Sequence, residues 1–312
     1  MRALVLLLML AMIGAGLPVR SEAQDGRAEA RVVAVIASDA RPYQEALQGV
    51  RDYAAQHLPH VRVTAITLAR ENSASSDNTN IMNTPADLYL ALGTAALEQF
   101  WQGGVKRPIV AGMVLNAADL ARFENATGVL MELPVETEIE WMARLLPGKS
   151  RVGLLYSPGP HAQRYAAAES LLAARGSSLQ PRAVAAPQEL PAALKALERD
   201  VDLLWGIPDP MVYTPQTAKE ILLYSFRHRI PMIGLSRMWV KGGALYALDR
   251  DYRDIGMQCG ELVKKVLEGA APSQLPPVHP RKIVYAINMK TARHMKIEIE
   301  PGVLQGATEV FE

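Results

Sequence analysis

The chain has 312 residues, of which 49% are apolar and 21% charged, and its formal net charge is +1. This composition is ordinary for a globular protein, and the chain is long enough for two domains. The small net charge argues against nucleic acid or an anionic membrane as a partner. The single cysteine, Cys259, excludes an internal disulfide. Because Cys259 lies in a helical pattern, we expect a small buried hydrophobe rather than a reactive thiol.

The amino-terminal segment has the pattern of a secretory signal peptide. A short basic start precedes an apolar run over 3–17, and the small residues Ser21 and Ala23 precede Gln24. The run is shorter than the roughly 20 residues needed to span a bilayer, which favours cleavage after about Ala23 over the alternative, a retained anchor. Since no cysteine lies near the expected cleavage site, lipidation is not expected. The segment 1–23 therefore predicts an exported protein, most simply of a bacterial periplasm.

Strand and helix patterns then alternate along the chain. In the first half the predicted strands are 31–37, 61–68, 87–92 and 108–115, and the predicted helices are 43–58 and 95–101. The polar stretch 71–85 is expected to be a loop or a frayed helix.

The same alternation restarts in the second half. The predicted strands are 151–156, 182–186, 201–206, 230–234, 244–248 and 283–287, and the predicted helices are 137–146, 161–175, 189–197, 214–228, 251–267 and 289–295. Strands separated by helices indicate parallel sheets covered on both faces. The sequence therefore predicts an α/β fold with two doubly wound parallel-sheet lobes and a ligand cleft between them.

Ligands of open α/β sheets bind at the carboxyl ends of strands, where helix amino termini offer free N–H groups. The residues that follow the predicted strands are mostly small, polar or flexible, and they suit a small polar or zwitterionic molecule. The candidate ligand-binding residues are Ser38, Gly93, Thr94, Ala95, Ser157, His161, Asp209, Met211 and Ser236.

Each candidate also has a purely structural interpretation. Ser38 and Ser157 are good helix-capping residues, and Gly93 with Thr94 is compatible with an ordinary tight turn. Asp209 suits either a turn cap or an acceptor for a cationic group of a ligand. The sequence alone leaves these alternatives open.

Motifs for catalysis are missing from the sequence. It contains no Gly-x-Ser-x-Gly elbow, no Walker loop, and no Gly-x-Gly-x-x-Gly at the start of the first helix. His57 and His60 are separated by Pro59 at an expected helix end, which disfavours a metal pair. We therefore expect neither an enzyme nor a bound metal or cofactor.

Several segments resemble a known protein family. The most specific is Val-Lys-Gly-Gly-Ala-Leu at 240–245 with Asp251, Tyr252 and Gly256, preceded by an acid-containing turn at 202–209. Further matches are at 93–96, 145–147, 152–156 and 288–292. Together they resemble ABC-transporter substrate-binding proteins of the tryptophan/tyrosine-uptake type over residues 31–297.

The resemblance implies a type I periplasmic-binding fold. Its expected amino-terminal lobe is 31–120 plus about 249–278, and its carboxy-terminal lobe is about 121–248 plus 281–312. Gly93, Thr94 and Ser157 would bind a carboxylate, and Asp209 would bind an amine. At the position of Met211, members of the family commonly have a polar residue. An apolar residue there suits a bulkier or less charged solute.

The function that follows is capture of a small, amino-acid-like solute by lobe closure and delivery to an inner-membrane ABC permease, with the protein acting as a monomer. The first alternative is a sensory binding protein that presents its ligand to a histidine kinase or chemoreceptor. The second is a periplasmic enzyme, which the missing nucleophile–base pair disfavours. Nucleic acid is not an expected partner.

Overall fold

The computed structural model describes residues 29–68, 81, 83–115, 117–158, 162–209 and 211–312. The expected signal peptide at 1–23, most of the expected loop at 71–85, and His161 lie outside these residues. Within the described ranges, no helix has both the length and the apolar character needed to cross a membrane.

Strands and helices alternate along most of the described chain. The strands are β1 (Ala30–Ile36), β2 (Val61–Thr67), β3 (Leu88–Leu92), β4 (Ile109–Val114), β5 (Ala126–Leu130), β6 (Arg151–Tyr156), β7 (Ser178–Ala183), β8 (Leu203–Trp205), β9 (Met232–Gly234), β10 (Tyr246–Arg250), β11 (Ile283–Asn288) and β12 (Glu309–Phe311). The helices are α1 (Arg41–His57), α2 (Thr94–Gln102), α3 (Ala117–Ala121), α4 (Val135–Leu145), α5 (Ala162–Ala173), α6 (Leu190–Leu197), α7 (Pro215–His228), α8 (Arg237–Gly242), α9 (Tyr252–Leu267), α10 (Met289–Met295) and α11 (Pro301–Gln305). Short 3-10 turns cover Pro187–Glu189 and Pro272–Gln274.

The first sheet is entirely parallel, with strand order β2-β1-β3-β4-β5. Alternate residues of β1 enter different cores, as expected for a strand covered on both faces. Val32 and Ala34 pack with α1 and α9, whereas Val33 and Val35 pack with α2. Helices on both faces make this sheet doubly wound.

The second sheet has the order β12-β11-β10-β9-β8-β6-β7. All its pairs are parallel except β10 with β11, which are antiparallel. The exception has a topological cause. After β10 the chain leaves to build α9 on the first sheet, and it returns at the same edge, so that Ile283 pairs with Arg250. A strand that starts at this edge must run opposite to one that ends there.

Three segments connect the two sheets, and we call 131–134, 250–251 and 279–282 the crossover. Arg250 Nε donates to the Met131 carbonyl at 2.6 Å, and His279 Nδ1 lies 2.8 Å from the Glu132 carbonyl. The Asp251 amide donates to the Lys282 carbonyl at 3.1 Å. The crossover segments are therefore tied to one another by hydrogen bonds.

The elements differ from the sequence-based prediction at two instructive places. The predicted elements omitted β5, which pairs with β4 and extends the first sheet beyond residue 120. They also placed the strand after β6 at 182–186, whereas β7 is Ser178–Ala183. The division into lobes drawn from the resemblance stays a prediction; what the structure gives is the membership of each strand in a sheet.

Candidate functional site

The carboxyl edge of the first sheet gathers four of the predicted ligand residues. Ser38 lies shortly after β1, and Gly93 connects β3 to α2, whose first two residues are Thr94 and Ala95. The two turns touch, because a Cβ on Gly93 would lie 2.8 Å from Cβ of Ala37. Ala95 is exposed at the start of α2, where the first N–H groups of a helix have no intrahelical acceptor.

Gly93 has a local reason to be glycine. Its φ is +103°, a conformation that side chains with a Cβ rarely adopt, and the ring of Tyr43 lies on the same side. Its amide donates to the Gly112 carbonyl, and its own carbonyl accepts from Leu97. The turn is therefore fixed by the backbone, and it holds the start of α2 against the sheet edge.

The carboxyl edge of the second sheet brings Ser157 and Asp209 together. Ser157 follows β6, and Asp209 follows the neighbouring strand β8. Oδ2 of Asp209 accepts from the Ser157 amide at 2.7 Å and from its hydroxyl at 2.8 Å. Oδ1 accepts from the Met211 and Val212 amides at 3.0 and 3.1 Å.

Asp209 is thus a buried, fully engaged carboxylate, with 2% of its surface exposed. Burial alone would raise its pKa, but the hydrogen bonds from Ser157, Val212 and Met211 outweigh burial and hold the pKa below the usual value. A carboxylate has about four lone-pair positions, and four protein donors occupy them. A ligand cation would have to displace one of these donors to bind Asp209 directly.

The remaining predicted residues are less involved in the site. Met211 donates its amide to Asp209, and the residue is 43% exposed. Ser236 follows β9 and precedes α8, but its side chain does not cap that helix. His161 lies outside the described residues.

The structure adds residues that the sequence prediction did not single out. Leu115, directly after β4, is a large apolar residue that is 59% exposed, and its amide lies 3.4 Å from Thr94 Oγ1. Tyr246, Arg250 and Glu138 line a cavity at the carboxyl edge of the second sheet. Leu115 stands out because it is an exposed apolar residue at a strand end. The sequence prediction missed it because exposure cannot be read from the sequence.

The described residues contain no group of three or more His, Cys, Asp or Glu side chains arranged to hold a metal ion. Cys259 is buried, as predicted, and burial raises the pKa of its thiol to about 12. At neutral pH this thiol is therefore protonated and inert.

Comparison with known proteins gives a family match over most of the chain. A family model described as ABC transporter substrate binding protein matches residues 33–311. An uncharacterized protein of Rickettsia prowazekii (strain Madrid E) is 24% identical over 207 residues, which are 66% of this chain and 65% of that protein. The chain therefore aligns with about two thirds of the length of this curated relative.

Solved structures with similar folds cover nearly the whole chain. A ligand-free, open substrate-binding protein with adhesive properties from Clostridium difficile superposes with a TM-score of 0.74 at 15% identity, covering 90% of this chain and 99% of its own. An ABC domain from Streptococcus pneumonia in complex with L-Trp gives 0.62 at 19%, covering 91% and 100%. A conserved domain protein of Vibrio cholerae gives 0.60 at 21%, covering 90% and 99%. These likenesses establish the two-sheet fold predicted from the sequence.

Proposed function

The chain belongs to the family of ABC transporter substrate-binding proteins, and from this premise we propose that it captures a small, amino-acid-like solute for import. In this proposal the solute binds between the carboxyl edges of the two sheets, and the loaded protein docks on a membrane permease. The site of action is the periplasm, which the protein reaches by means of the signal peptide expected at 1–23. Binding, not catalysis, is the activity.

The observation that carries the proposal is the position of the crossover. β5 ends at Leu130 and β10 ends at Arg250, and both continue directly into crossover segments. The carboxyl edges of both sheets therefore adjoin the same connection. This arrangement supports a cleft with Gly93 and Thr94 on one side and Ser157 on the other.

The exposed side chains at these edges fit a solute that has an apolar part. Leu115, directly after β4, and Met211, in the segment between β8 and α7, are exposed large apolar residues. Apolar contacts of this kind combined with a few polar groups are typical of small-molecule sites. A bound carboxylate would find N–H donors at the start of α2.

A thermal-shift screen of the full chain against amino acids, nucleosides, sugars and small organic acids tests solute binding. A ligand at one hundred times its dissociation constant adds about 2.7 kcal/mol of stability, which corresponds to a Tm rise of roughly 5 °C. A Tm that no member of the panel raises would contradict the proposal.

The location of the site is tested with the solute found in that screen. Ala95→Trp adds a bulky ring at the proposed cleft edge, and we expect calorimetry to show binding at least about tenfold weaker, since losing 1.4 kcal/mol is enough. Ala173→Trp is the matched control, because Ala173 is exposed at the end of α5, away from the carboxyl edge. Equal loss of affinity in both variants would contradict this location.

The role in import is tested in cells that lack the protein. We expect uptake of the same radiolabelled solute to fall, and to be restored by the wild-type chain but not by Ala95→Trp. Unchanged uptake in such cells, together with binding in vitro, would contradict the import role and favour the sensory alternative.

A further inference from the structure

A small cavity lies at the carboxyl edge of the second sheet. Its volume is about 30 Å³, and its lining includes Trp205, Tyr246 and Arg250 from the strands and Glu138 and Met142 from α4. Since about 10–15 Å³ of such volume holds one water, the cavity accepts a group of one or two heavy atoms. It is too small for a whole solute.

Tyr246 is one of the residues that line the cavity. Tyr246 has no exposed surface, and its hydroxyl has no hydrogen-bond partner among the described residues. Nearly all buried polar groups in proteins are hydrogen-bonded, so an unpartnered hydroxyl on a residue that lines a cavity indicates a missing partner. Burial, with the Glu138 carboxylate nearby, raises the pKa of Tyr246 well above its usual value, so the phenol stays neutral.

The charges that line the cavity restrict the kind of group it accepts. Glu138 and Arg250 contribute one charge of each sign. The Arg250 guanidinium is held in place, because its Nε donates to the Met131 carbonyl and Nη1 lies 3.9 Å from Asp249. A charged group would be attracted by one of the two and repelled by the other while losing its hydration. A neutral group that both donates and accepts avoids this cost.

We propose that this cavity is a specificity subsite that receives a hydroxyl group of the bound solute, with Tyr246 as its hydrogen-bond partner. The subsite deepens the proposed function and rests on it, because the cavity opens at the same carboxyl edge as Ser157. The rest of the solute lies in the cleft, and the hydroxyl occupies the cavity. Tyr246 thereby selects solutes that carry a hydroxyl at the matching position.

Calorimetry with matched pairs of probes tests the selection. The pairs differ by one hydroxyl: L-tyrosine and L-phenylalanine, L-threonine and L-2-aminobutyrate, adenosine and 2′-deoxyadenosine. We expect the hydroxyl-bearing member of at least one pair to bind about tenfold more tightly, as one well-made buried hydrogen bond allows. In Tyr246→Phe the preference should fall below about threefold.

The matched control is Tyr285→Phe. Tyr285 is also a buried tyrosine of the second sheet, but its hydroxyl already donates to the Val303 carbonyl at 2.7 Å. This variant should keep the wild-type preference for the hydroxyl. Equal binding within every pair, or a preference that persists in Tyr246→Phe, would overturn the subsite while leaving solute binding intact. Absence of binding by every member of the thermal-shift panel, these pairs included, would overturn the proposed function together with the subsite.

Stability of the ligand-free variants gives an independent readout. Removing an unpartnered hydroxyl costs no hydrogen bond, so Tyr246→Phe should have a Tm equal to or above that of the wild type. Tyr285→Phe should lose roughly 2–4 °C. A comparable loss in Tyr246→Phe would show that a permanent partner, such as a trapped water, satisfies Tyr246, and this result would overturn the inference.

Discussion

Asp209 illustrates how a residue chosen for ligand chemistry can instead organise the site. Its carboxylate accepts hydrogen bonds from Ser157, Met211 and Val212, and these link the ends of two neighbouring strands. The contact of Asp209 with a ligand amine stays a prediction. The geometry favours a positioning role, in which Asp209 fixes the Ser157 turn that faces the proposed cleft.

We expect Asp209→Asn to destabilise the free protein by about 2–4 kcal/mol, because a buried amide cannot accept from all four donors. Urea unfolding measures this loss. Asp200→Asn is the matched control, since Asp200 is a half-exposed residue with a long contact to Arg182, and its loss should stay within about 0.5 kcal/mol. Equal, small effects of both substitutions would contradict the positioning role.

The pH dependence of stability, compared between the wild type and Asp209→Asn, tests the same role of the Asp209 carboxylate. Asp209 has a folded-state pKa below its unfolded value near 4, so its ionised form stabilises the folded state above that pH. This contribution is lost as the pH falls from about 4 through the folded-state pKa. The wild type should therefore lose more stability than Asp209→Asn between pH 5 and pH 3, and parallel pH profiles would be inconsistent with this account.

At the scale of elements, α1 and α9 pack in unusually close contact through glycines. A Cβ on Gly49 would lie 1.9 Å from the Arg253 carbonyl oxygen, and one on Gly256 would lie 1.9 Å from the Ala46 carbonyl oxygen. Only glycine permits this approach. The contact attaches α9, which follows β10 of the second sheet, to the first sheet.

Gly256→Ala should therefore separate the two helices and cost at least about 1–3 kcal/mol, as overpacking of a buried contact does. Thermal unfolding followed by circular dichroism measures the effect. Gly302→Ala is the control, because a Cβ there meets nothing within 4 Å and the residue is helical, so it should be neutral or slightly stabilising. An unchanged Tm in Gly256→Ala would show that the helices do not depend on this contact.

Much of the fold could be predicted from the sequence, because short continuous apolar runs such as β1, β3 and β6 are typical of strands covered on both faces. The strand β5 was missed since Gly128 weakens its strand pattern. The structure shows why glycine is needed there: a Cβ would lie 2.2 Å from the Ala111 carbonyl oxygen of β4. The short helix α8 was missed because a six-residue helix offers too few turns for a periodic pattern.

The site was predictable in position but not in its contacts. The rule that ligands bind at strand carboxyl ends placed Ser157 and Asp209 at one edge, although 52 residues separate them. It does not indicate that the two bond to each other. Tyr246 was missed because it lies in a predicted strand and looks like an ordinary core residue. What distinguishes it is an unpartnered hydroxyl on a residue that lines a cavity.

For the whole molecule, the crossover is the connection between the two sheets. Three short segments connect them, and hydrogen bonds from Arg250, Asp251 and His279 join these segments into one unit. A connection of this kind favours rotation of one sheet with its helices against the other, as in hinge closure around a ligand. In the proposed function, the solute would stabilise the closed arrangement by contacting both edges.

Small-angle X-ray scattering of the full chain, with and without the solute found by the thermal screen, tests this central claim most directly. The account predicts a smaller radius of gyration at saturating solute, and no change with a non-binding member of the same panel. It predicts no contraction for Ala95→Trp at the concentration that saturates the wild type. A saturated wild-type protein with an unchanged scattering curve would contradict capture of the solute by closure.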